Sequence, residues 1–126
     1  MPGKKKIVVA DDEPIIISLL TELMSGTYDI HTAANGVQAL NAVERTKPDM
    51  VILDVTMPEM DGFEACRCLK RNTATSKIPV IMLTARCRVM DIETGIKSGA
   101  DAYIIKPFSP GMLIERVDKI LSGSQV

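Results

Sequence analysis

The chain has 126 residues, enough for one compact domain but too few for two. Hydrophobic residues make up 46% and charged residues 25%, so a disordered chain is excluded and a single domain is expected over residues 1–126, ordered from about 5 to 121. The formal net charge is −1, with five basic and ten acidic side chains in residues 1–63 against ten and six in residues 64–126. A domain that holds DNA through its phosphates would carry a basic excess, so direct nucleic-acid binding is not expected.

The sequence also lacks the features of an exported or membrane-inserted protein. No apolar run approaches the roughly 18 residues of a membrane span, and the run after the lysines at 4–6 is too short for a signal peptide. We expect those lysines to be a solvated lead-in to the first strand. Three cysteines, Cys66, Cys68 and Cys87, have the spacing of neither a zinc site nor a redox pair. They predict buried thiols in a reducing cytoplasm.

In chain order, five short runs predict β-strands, and each is followed by a stretch with helical periodicity. The strands are expected at residues 7–10, 28–33, 50–53, 80–83 and 102–105. All but the second are continuous apolar runs, the pattern of parallel strands that are buried on both faces. The second run is more polar and is predicted to be an edge strand.

Five helices are predicted after these strands, at about residues 14–26, 36–47, 63–69, 89–99 and 110–121. The first carries apolar residues at i, i+3, i+4, i+7 and i+8 from Ile16 to Met24, which form one stripe of a helix. Ser109 and Pro110 are typical of an N-cap and a first helical residue. The alternation predicts an α/β fold with one doubly wound parallel sheet, because right-handed crossovers place helices on both faces.

Residues that can carry chemistry follow the strands at their carboxyl ends, where open parallel sheets bind ligands. They are Asp11, Asp12 and Glu13 after the first strand, Asp54 after the third, Thr84 at the fourth and Lys106 after the fifth. Each alone has an ordinary explanation as a helix cap, a strand residue or a surface lysine. Together they crowd carboxylates at one edge of the sheet, where the charges repel each other unless a cation binds.

The residue types in this group favour phosphoryl chemistry with a hard metal ion. Oxygen ligands without His or Cys favour Mg²⁺, or Mn²⁺, over zinc. An ammonium and a hydroxyl beside such an ion suit phosphoryl oxygens, and an aspartate can itself form an aspartyl phosphate. Asp54 is the best candidate nucleophile because it ends the central strand alone, whereas Asp11 and Asp12 are better placed to hold metal.

Four segments resemble, in order and spacing, the receiver domain of two-component response regulators, of the single-domain chemotaxis-regulator type. They read IVVADDEP, VILDVTMPEMDGFE, VIMLTA and GADAYIIKPF, and the likeness covers essentially the whole chain. The resemblance implies a flavodoxin-like (βα)5 fold with strand order 2-1-3-4-5. It also implies that Asp54 takes a phosphoryl group from the phosphohistidine of a histidine kinase.

The resemblance further assigns the metal ligands. Mg²⁺ would be bound by Asp12, Asp54 and the backbone carbonyl of Thr56, with Asp11 helping mostly through water. Gly62 matches a loop position of the family, where we expect glycine because it permits backbone geometry that other residues resist.

The resemblance also implies how the phosphoryl group is held and sensed. Thr84 and Lys106 would contact the phosphoryl oxygens, and the peptide bond between Lys106 and Pro107 would be cis. In relatives, the residue that matches Thr84 moves toward the phosphate and the aromatic residue that matches Tyr103 turns inward. The face made of the fourth helix, fifth strand and fifth helix then changes its partner preference.

Two positions that vary in this family tune the lifetime of the phosphate, and here they hold Thr56 and Arg86. Our hypothesis is that Arg86 reaches over the phosphoryl group, partly excludes the attacking water and slows hydrolysis. The alternative is a solvated arginine that points away.

Other functions are open at this point. The chain is either a regulator that acts alone or a receiver from a longer hybrid kinase or transcriptional regulator. A flavin- or nucleotide-binding module of the same architecture is disfavoured because acids stand at Asp11 to Glu13, where a phosphate-binding loop needs Gly, Ser or Thr. A hydrolase of the haloacid dehalogenase type is disfavoured because Asp11 and Asp12 are adjacent and do not form an Asp-x-Asp pair.

The resemblance implies protein partners rather than a small-molecule substrate. The phosphodonor would be a sensor histidine kinase or a histidine phosphotransfer protein, and the target would be a downstream effector protein. Such a domain catalyses only its own phosphorylation and dephosphorylation, so it is not an enzyme with a separate product. Whether phosphorylation drives a homodimer is open.

Overall fold

The computed structural model describes residues 3–123, which form one parallel sheet and five helices. The strands are β1 (Lys6–Ala10), β2 (Asp29–Ala33), β3 (Met50–Leu53), β4 (Val80–Thr84) and β5 (Ala102–Ile105), in the order β2-β1-β3-β4-β5. The helices are α1 (Pro14–Met24), α2 (Gly36–Thr46), α3 (Gly62–Arg71), α4 (Val89–Lys97) and α5 (Pro110–Leu121). The doubly wound α/β fold and the strand order are thus confirmed. The expected domain over residues 1–126 includes residues 1–2 and 124–126, which lie outside the described residues.

The core has two layers because side chains alternate between the faces of the sheet. Val8 and Val51 lie in one buried cluster with residues of α2 and α3. Ile7 and Ile52 lie in the other, with residues of α1 and α5. All of β3 and β4 is buried, so the middle of the sheet is a rigid base for the residues that follow it.

The fifth strand is less buried than its apolar sequence predicts. Tyr103 is only partly buried, and 39% of Ile105 is exposed. β5 is the second edge of the sheet, since it pairs with β4 alone. The expectation of burial on both faces is wrong for this strand, because within residues 3–123 it has a neighbouring strand on one side only.

Polar side chains cap the starts of three helices. The Asn35 side chain accepts a hydrogen bond from the Gln38 N–H at the start of α2, and the Asp61 side chain accepts one from the Glu64 N–H at the start of α3. Ser109 caps α5 and Pro110 is its first residue, as predicted. Capping satisfies backbone N–H groups that have no partner inside the helix. No helix within residues 3–123 is long and apolar enough to cross a bilayer.

The lysine run at residues 4–6, which leads into β1, caps the C-terminal ends of three helices. The Nζ atoms of Lys4, Lys5 and Lys6 donate to backbone carbonyls at the C-terminal ends of α1, α5 and α2, over 2.8, 2.9 and 3.3 Å. A helix C-terminus carries unpaired carbonyls and a partial negative charge, which lysine ammonium groups stabilise. The run is exposed, as expected of a solvated lead-in, but it also ties β1 to three helices.

The three cysteines differ in burial. Cys66 is buried on α3, where its Sγ contacts the backbone carbonyl of Ser98 and burial raises the pKa of the thiol. Cys68 is only partly buried and Cys87 is exposed in the loop before α4. The prediction of buried thiols is therefore correct for Cys66 and wrong for Cys87, because Cys87 follows β4 in a loop rather than in an apolar stripe.

Candidate functional site

The acidic residues meet at the carboxyl edge because neighbouring strands end in register. Ala10 pairs with Leu53, so the next residues, Asp11 and Asp54, lie side by side, and the Asp54 N–H donates to the Ala10 carbonyl over 2.9 Å. Asp11, Asp12 and Asp54 each place a carboxylate oxygen within 4.8 Å of the others. Asp11 and Asp54 are buried and Asp12 is exposed, so the group opens toward solvent on one side.

Lys106 reaches this group from the far edge strand. Its Nζ lies 2.7 Å from Asp11 Oδ2, 3.0 Å from Glu13 Oε1 and 3.5 Å from Asp54 Oδ2. The ammonium is itself largely buried. One cation therefore contacts carboxylates from the segments after β1 and after β3. Residues that were predicted to follow three separate strands thus lie together.

Burial and charge act in opposite directions on this cluster. Burial raises the pKa of Asp11, and the hydrogen bond from Lys106 offsets that effect only in part. Burial lowers the pKa of Lys106, but Asp11, Glu13 and Asp54 outweigh it, so the pKa lies above the ordinary lysine value. The ammonium is therefore charged at neutral pH. A set of close carboxylates with one ammonium is short of positive charge, and its hard oxygen donors suit a divalent cation.

An open cleft of about 360 Å³ lies over Asp54. Its lining residues are Asp12, Glu13, Asp54, Thr56, Thr84, Ala85 and Lys106. A larger groove, of about 480 Å³, lies between α2 and α3 near their C-terminal ends, but aliphatic side chains dominate its wall. The smaller cleft is the functional candidate, because acidic, hydroxyl and ammonium groups converge on it.

Thr84 and Lys106 are adjacent across the last two strands. The Lys106 N–H donates to the Thr84 carbonyl over 2.8 Å, which continues the ladder between β4 and β5. The peptide bond between Lys106 and Pro107 is cis. The Thr84 hydroxyl accepts a hydrogen bond from the Arg86 N–H over 3.3 Å, so the loop after β4 begins at a site residue.

Arg86 contacts its neighbours at both its side chain and its backbone. The Nε atom donates to Thr56 Oγ1 over 3.2 Å, and Nη1 lies 3.5 Å from Asp91 Oδ1. The Tyr103 hydroxyl donates to the Arg86 carbonyl over 2.8 Å. The side chain thus lies beside the cleft rather than pointing away, and the Tyr103 hydroxyl is bonded to protein rather than to water alone.

Gly62 is required for space rather than for its backbone conformation. Its φ is not in the left-handed region, whereas Glu59 in the same loop has a φ of 69°. A Cβ at position 62 would lie 2.2 Å from the Asp54 carbonyl oxygen. The reason expected from the sequence is therefore wrong: the start of α3 packs directly on the backbone of the candidate nucleophile.

The sequence argument missed one charged residue near the site, Asp91, and did not predict the contact of another, Glu13. Glu13 was counted with the acids after β1, but nothing in its position indicated that it would contact Lys106. Asp91, in the first turn of α4, is buried against Arg86 and Arg88. The spacing of Arg88 and Asp91, three apart at the start of a predicted helix, was the only available signal.

The fold and its acidic edge place the protein among flavodoxin-like signalling domains. The chain belongs to the response regulator receiver domain family, whose model matches residues 7–118. It is 42% identical over 123 residues to the alkaline phosphatase synthesis transcriptional regulatory protein PhoP of Bacillus subtilis, covering 97% of this chain and 50% of that protein. The chain spans about half the length of the curated relatives it matches.

Solved structures of receiver domains have the same fold as this chain. The signal receiver domain of a signal transduction histidine kinase from Syntrophus aciditrophicus is 35% identical, with a TM-score of 0.89 and coverage of 96% of this chain and 92% of that one. The receiver domain of a sensor histidine kinase from Pseudomonas aeruginosa is 25% identical, with a TM-score of 0.88 and coverage of 95% and 99%. That structure has a magnesium ion coordinated in its active site cleft. The chain is thus a receiver domain of two-component signal transduction.

Proposed function

We propose that Asp54 accepts a phosphoryl group from the phosphohistidine of a sensor histidine kinase or a histidine phosphotransfer protein. The observation that carries the proposal is the position of the Lys106 ammonium, 3.5 Å from the Asp54 carboxylate and 2.7 Å from that of Asp11. A largely buried ammonium beside the candidate nucleophile can neutralise the charge of an incoming phosphoryl group without further reorganisation.

In the transfer step, an Asp54 carboxylate oxygen forms a bond to phosphorus. The bond between phosphorus and the histidine nitrogen breaks, and its electron pair stays on the imidazole. The Lys106 ammonium and the Thr84 hydroxyl, which line the same cleft, donate to the phosphoryl oxygens. Asp54, Thr84 and Lys106 are thus the proposed catalytic residues, and the domain acts as a signalling phosphoacceptor.

The donor set fits a divalent ion, with Mg²⁺ preferred and Mn²⁺ as the alternative, because its ligands are carboxylate oxygens. Asp11, Asp12 and Asp54 would hold the ion together with the Thr56 carbonyl. The magnesium in the cleft of the Pseudomonas aeruginosa receiver domain supports this assignment. When bound, the ion supplies positive charge that reduces repulsion between the carboxylates and the phosphoryl group.

The phosphorylated state is read through Thr84 and Tyr103. The hydrogen bonds of the Arg86 backbone to both of these residues support the proposal, because a movement of Thr84 would pull on the segment that Tyr103 contacts. The face formed by α4, β5 and α5 would bind the effector protein. It exposes large apolar side chains, at Val89, Met90, Ile105 and Met112.

Thr56 and Arg86 would tune the lifetime of the phosphate. Their mutual hydrogen bond at the rim of the cleft supports the hypothesis that Arg86 limits the approach of water to Asp54. The free cysteines are compatible with a cytoplasmic location, where histidine kinases transfer their phosphoryl groups. We propose one receiver domain over residues 1–126.

Intact-protein mass spectrometry tests the function. The protein is incubated with acetyl phosphate and Mg²⁺, next to Asp54→Asn and to a sample treated with a chelator. We expect a mass gain of one phosphoryl group only with Asp54 and metal both present. Asp12→Asn should label more slowly, because it removes one metal ligand. Labelling of Asp54→Asn to the wild-type level would contradict the assignment of Asp54.

A further inference from the structure

Asp91 is a buried carboxylate that the proposed phosphoryl chemistry does not use. Among residues 3–123, the buried carboxylates are Asp11, Asp54 and Asp91, and only Asp91 lies outside the acidic group. It is 6% exposed, on the first turn of α4. A buried charge is costly unless it is paired, so this carboxylate must retain cationic partners.

Asp91 has two arginine partners, and they differ in what else they contact. Arg88 lies one turn before it, with Nε 3.3 Å from Oδ2, and its side chain is 71% exposed. Arg86 comes from the loop after β4, with Nη1 3.5 Å from Oδ1. Arg86 also donates to Thr56 at the rim of the cleft over 3.2 Å, whereas the side chain of Arg88 donates to Asp91.

The Arg86 guanidinium is therefore held at two points on different segments. Thr56 belongs to the loop after β3 and lines the cleft, whereas Asp91 belongs to α4, so the two contacts of Arg86 connect the edge of the cleft to that helix. An exposed arginine without fixed acceptors samples many rotamers, and 44% of the Arg86 side chain is exposed. The buried carboxylate limits that freedom, because α4 fixes its position.

We propose that Asp91 is a positioning residue that sets the lifetime of the phosphoryl group on Asp54 by holding the Arg86 guanidinium against Thr56. This inference rests on the proposed function of Asp54. In hydrolysis, a water oxygen bonds to phosphorus, the bond from phosphorus to the Asp54 oxygen breaks with its electron pair passing to the carboxylate, and inorganic phosphate leaves. An arginine fixed at the rim narrows the path of that water.

The test measures the decay of the phosphorylated protein. Each variant is labelled with acetyl phosphate and Mg²⁺, the donor is removed, and the phosphorylated fraction is followed by intact mass. We expect Asp91→Asn and Arg86→Ala each to accelerate decay by about two- to fivefold, the range for loss of one partly exposed ion pair. Arg88→Ala is the matched control, since it removes the other partner of Asp91, and should decay as the wild type does.

A double variant separates positioning from a general loss of structure. If Asp91 acts through Arg86, Asp91→Asn combined with Arg86→Ala should decay no faster than Arg86→Ala alone, because the second change removes nothing further. If the acceleration of decay in the double variant equals the product of the two single-variant accelerations, the inference is overturned. Thr56→Val removes the second hydrogen-bond partner of Arg86 at an exposed position and should also accelerate decay. This variant therefore tests the role of Arg86 positioning even if Asp91→Asn does not fold.

The outcomes distinguish this inference from the function on which it rests. A wild type that takes up no phosphoryl group overturns both. A wild type that is labelled at Asp54 but decays at the same rate as Asp91→Asn and Thr56→Val leaves the function intact and overturns the role of Asp91.

Discussion

Replacement of Gly62 by alanine probes how tightly α3 packs on the candidate nucleophile. The added Cβ would lie 2.2 Å from the Asp54 carbonyl oxygen, 2.9 Å from its carbon and 3.0 Å from the Val55 Cα. All three are backbone atoms, so no side chain can rotate to make room. Since ordinary contacts begin near 3.4 Å, the Asp54 backbone and the start of α3 have to separate by about 1 Å, and we expect part of that shift at Asp54.

The size of that shift sets the expected effects. A displacement of about 1 Å at reacting groups costs about 100-fold in rate, so phosphorylation of Gly62→Ala should be slower by about that factor. Overpacking costs about 1–3 kcal/mol of unfolding free energy, which lowers the melting temperature by several degrees in a domain of this size.

The assay is the rate of phosphoryl uptake from acetyl phosphate and Mg²⁺, followed by intact mass, with circular dichroism to show that each variant is folded. Gly26→Ala is the matched control, because its Cβ would meet no atom within 4 Å. Uptake by Gly62→Ala within about threefold of the wild type would refute the reasoning, since it would mean that a shift of this size does not disturb the reacting carboxylate.

Two further predictions use the tyrosines. A Cβ at Gly95 would lie 2.7 Å from two ring carbons of Tyr103, so Gly95→Ala should push the ring outward. Burial raises the pKa of Tyr103, so this pKa, measured by ultraviolet titration in a Tyr28→Phe background, should fall toward the ordinary tyrosine value. An unchanged pKa would show that the ring stays in place. Burial, with help from Asp118, raises the pKa of Tyr28 to about 12, so this group contributes stability that is present below pH 10 and is lost as the pH rises toward 12. The free energy of unfolding measured in urea should be higher for the wild type than for Tyr28→Phe, by about 1 kcal/mol at pH 9 and by less at pH 11.5. An equal difference at both pH values would contradict the assignment.

Sequence reasoning was most successful where the pattern reflects a whole element. Continuous apolar runs can be buried on both faces only within a parallel sheet, and this property predicted β1, β3 and β4 and the carboxyl edge at which Asp54 lies. It was less successful at β5, where Tyr103 and Ile105 are not fully buried. The number of strands beside a given strand depends on where the sheet ends, and the apolar sequence of β5 does not indicate that.

The sequence by itself determined the order of strands and helices, and with it the convergence of Asp11, Asp54 and Lys106 on one edge, because strand ends in a parallel sheet have only one place to meet. Only the tertiary structure decided which side chains touch there. The pairing of Arg86 with Thr56 and Asp91, and the contact of Gly62 with the Asp54 backbone, depend on rotamers and on separations of a few ångströms between segments far apart in the chain. Those distances are set by the packing of α3 and α4 on the sheet, and no local pattern of residues encodes them.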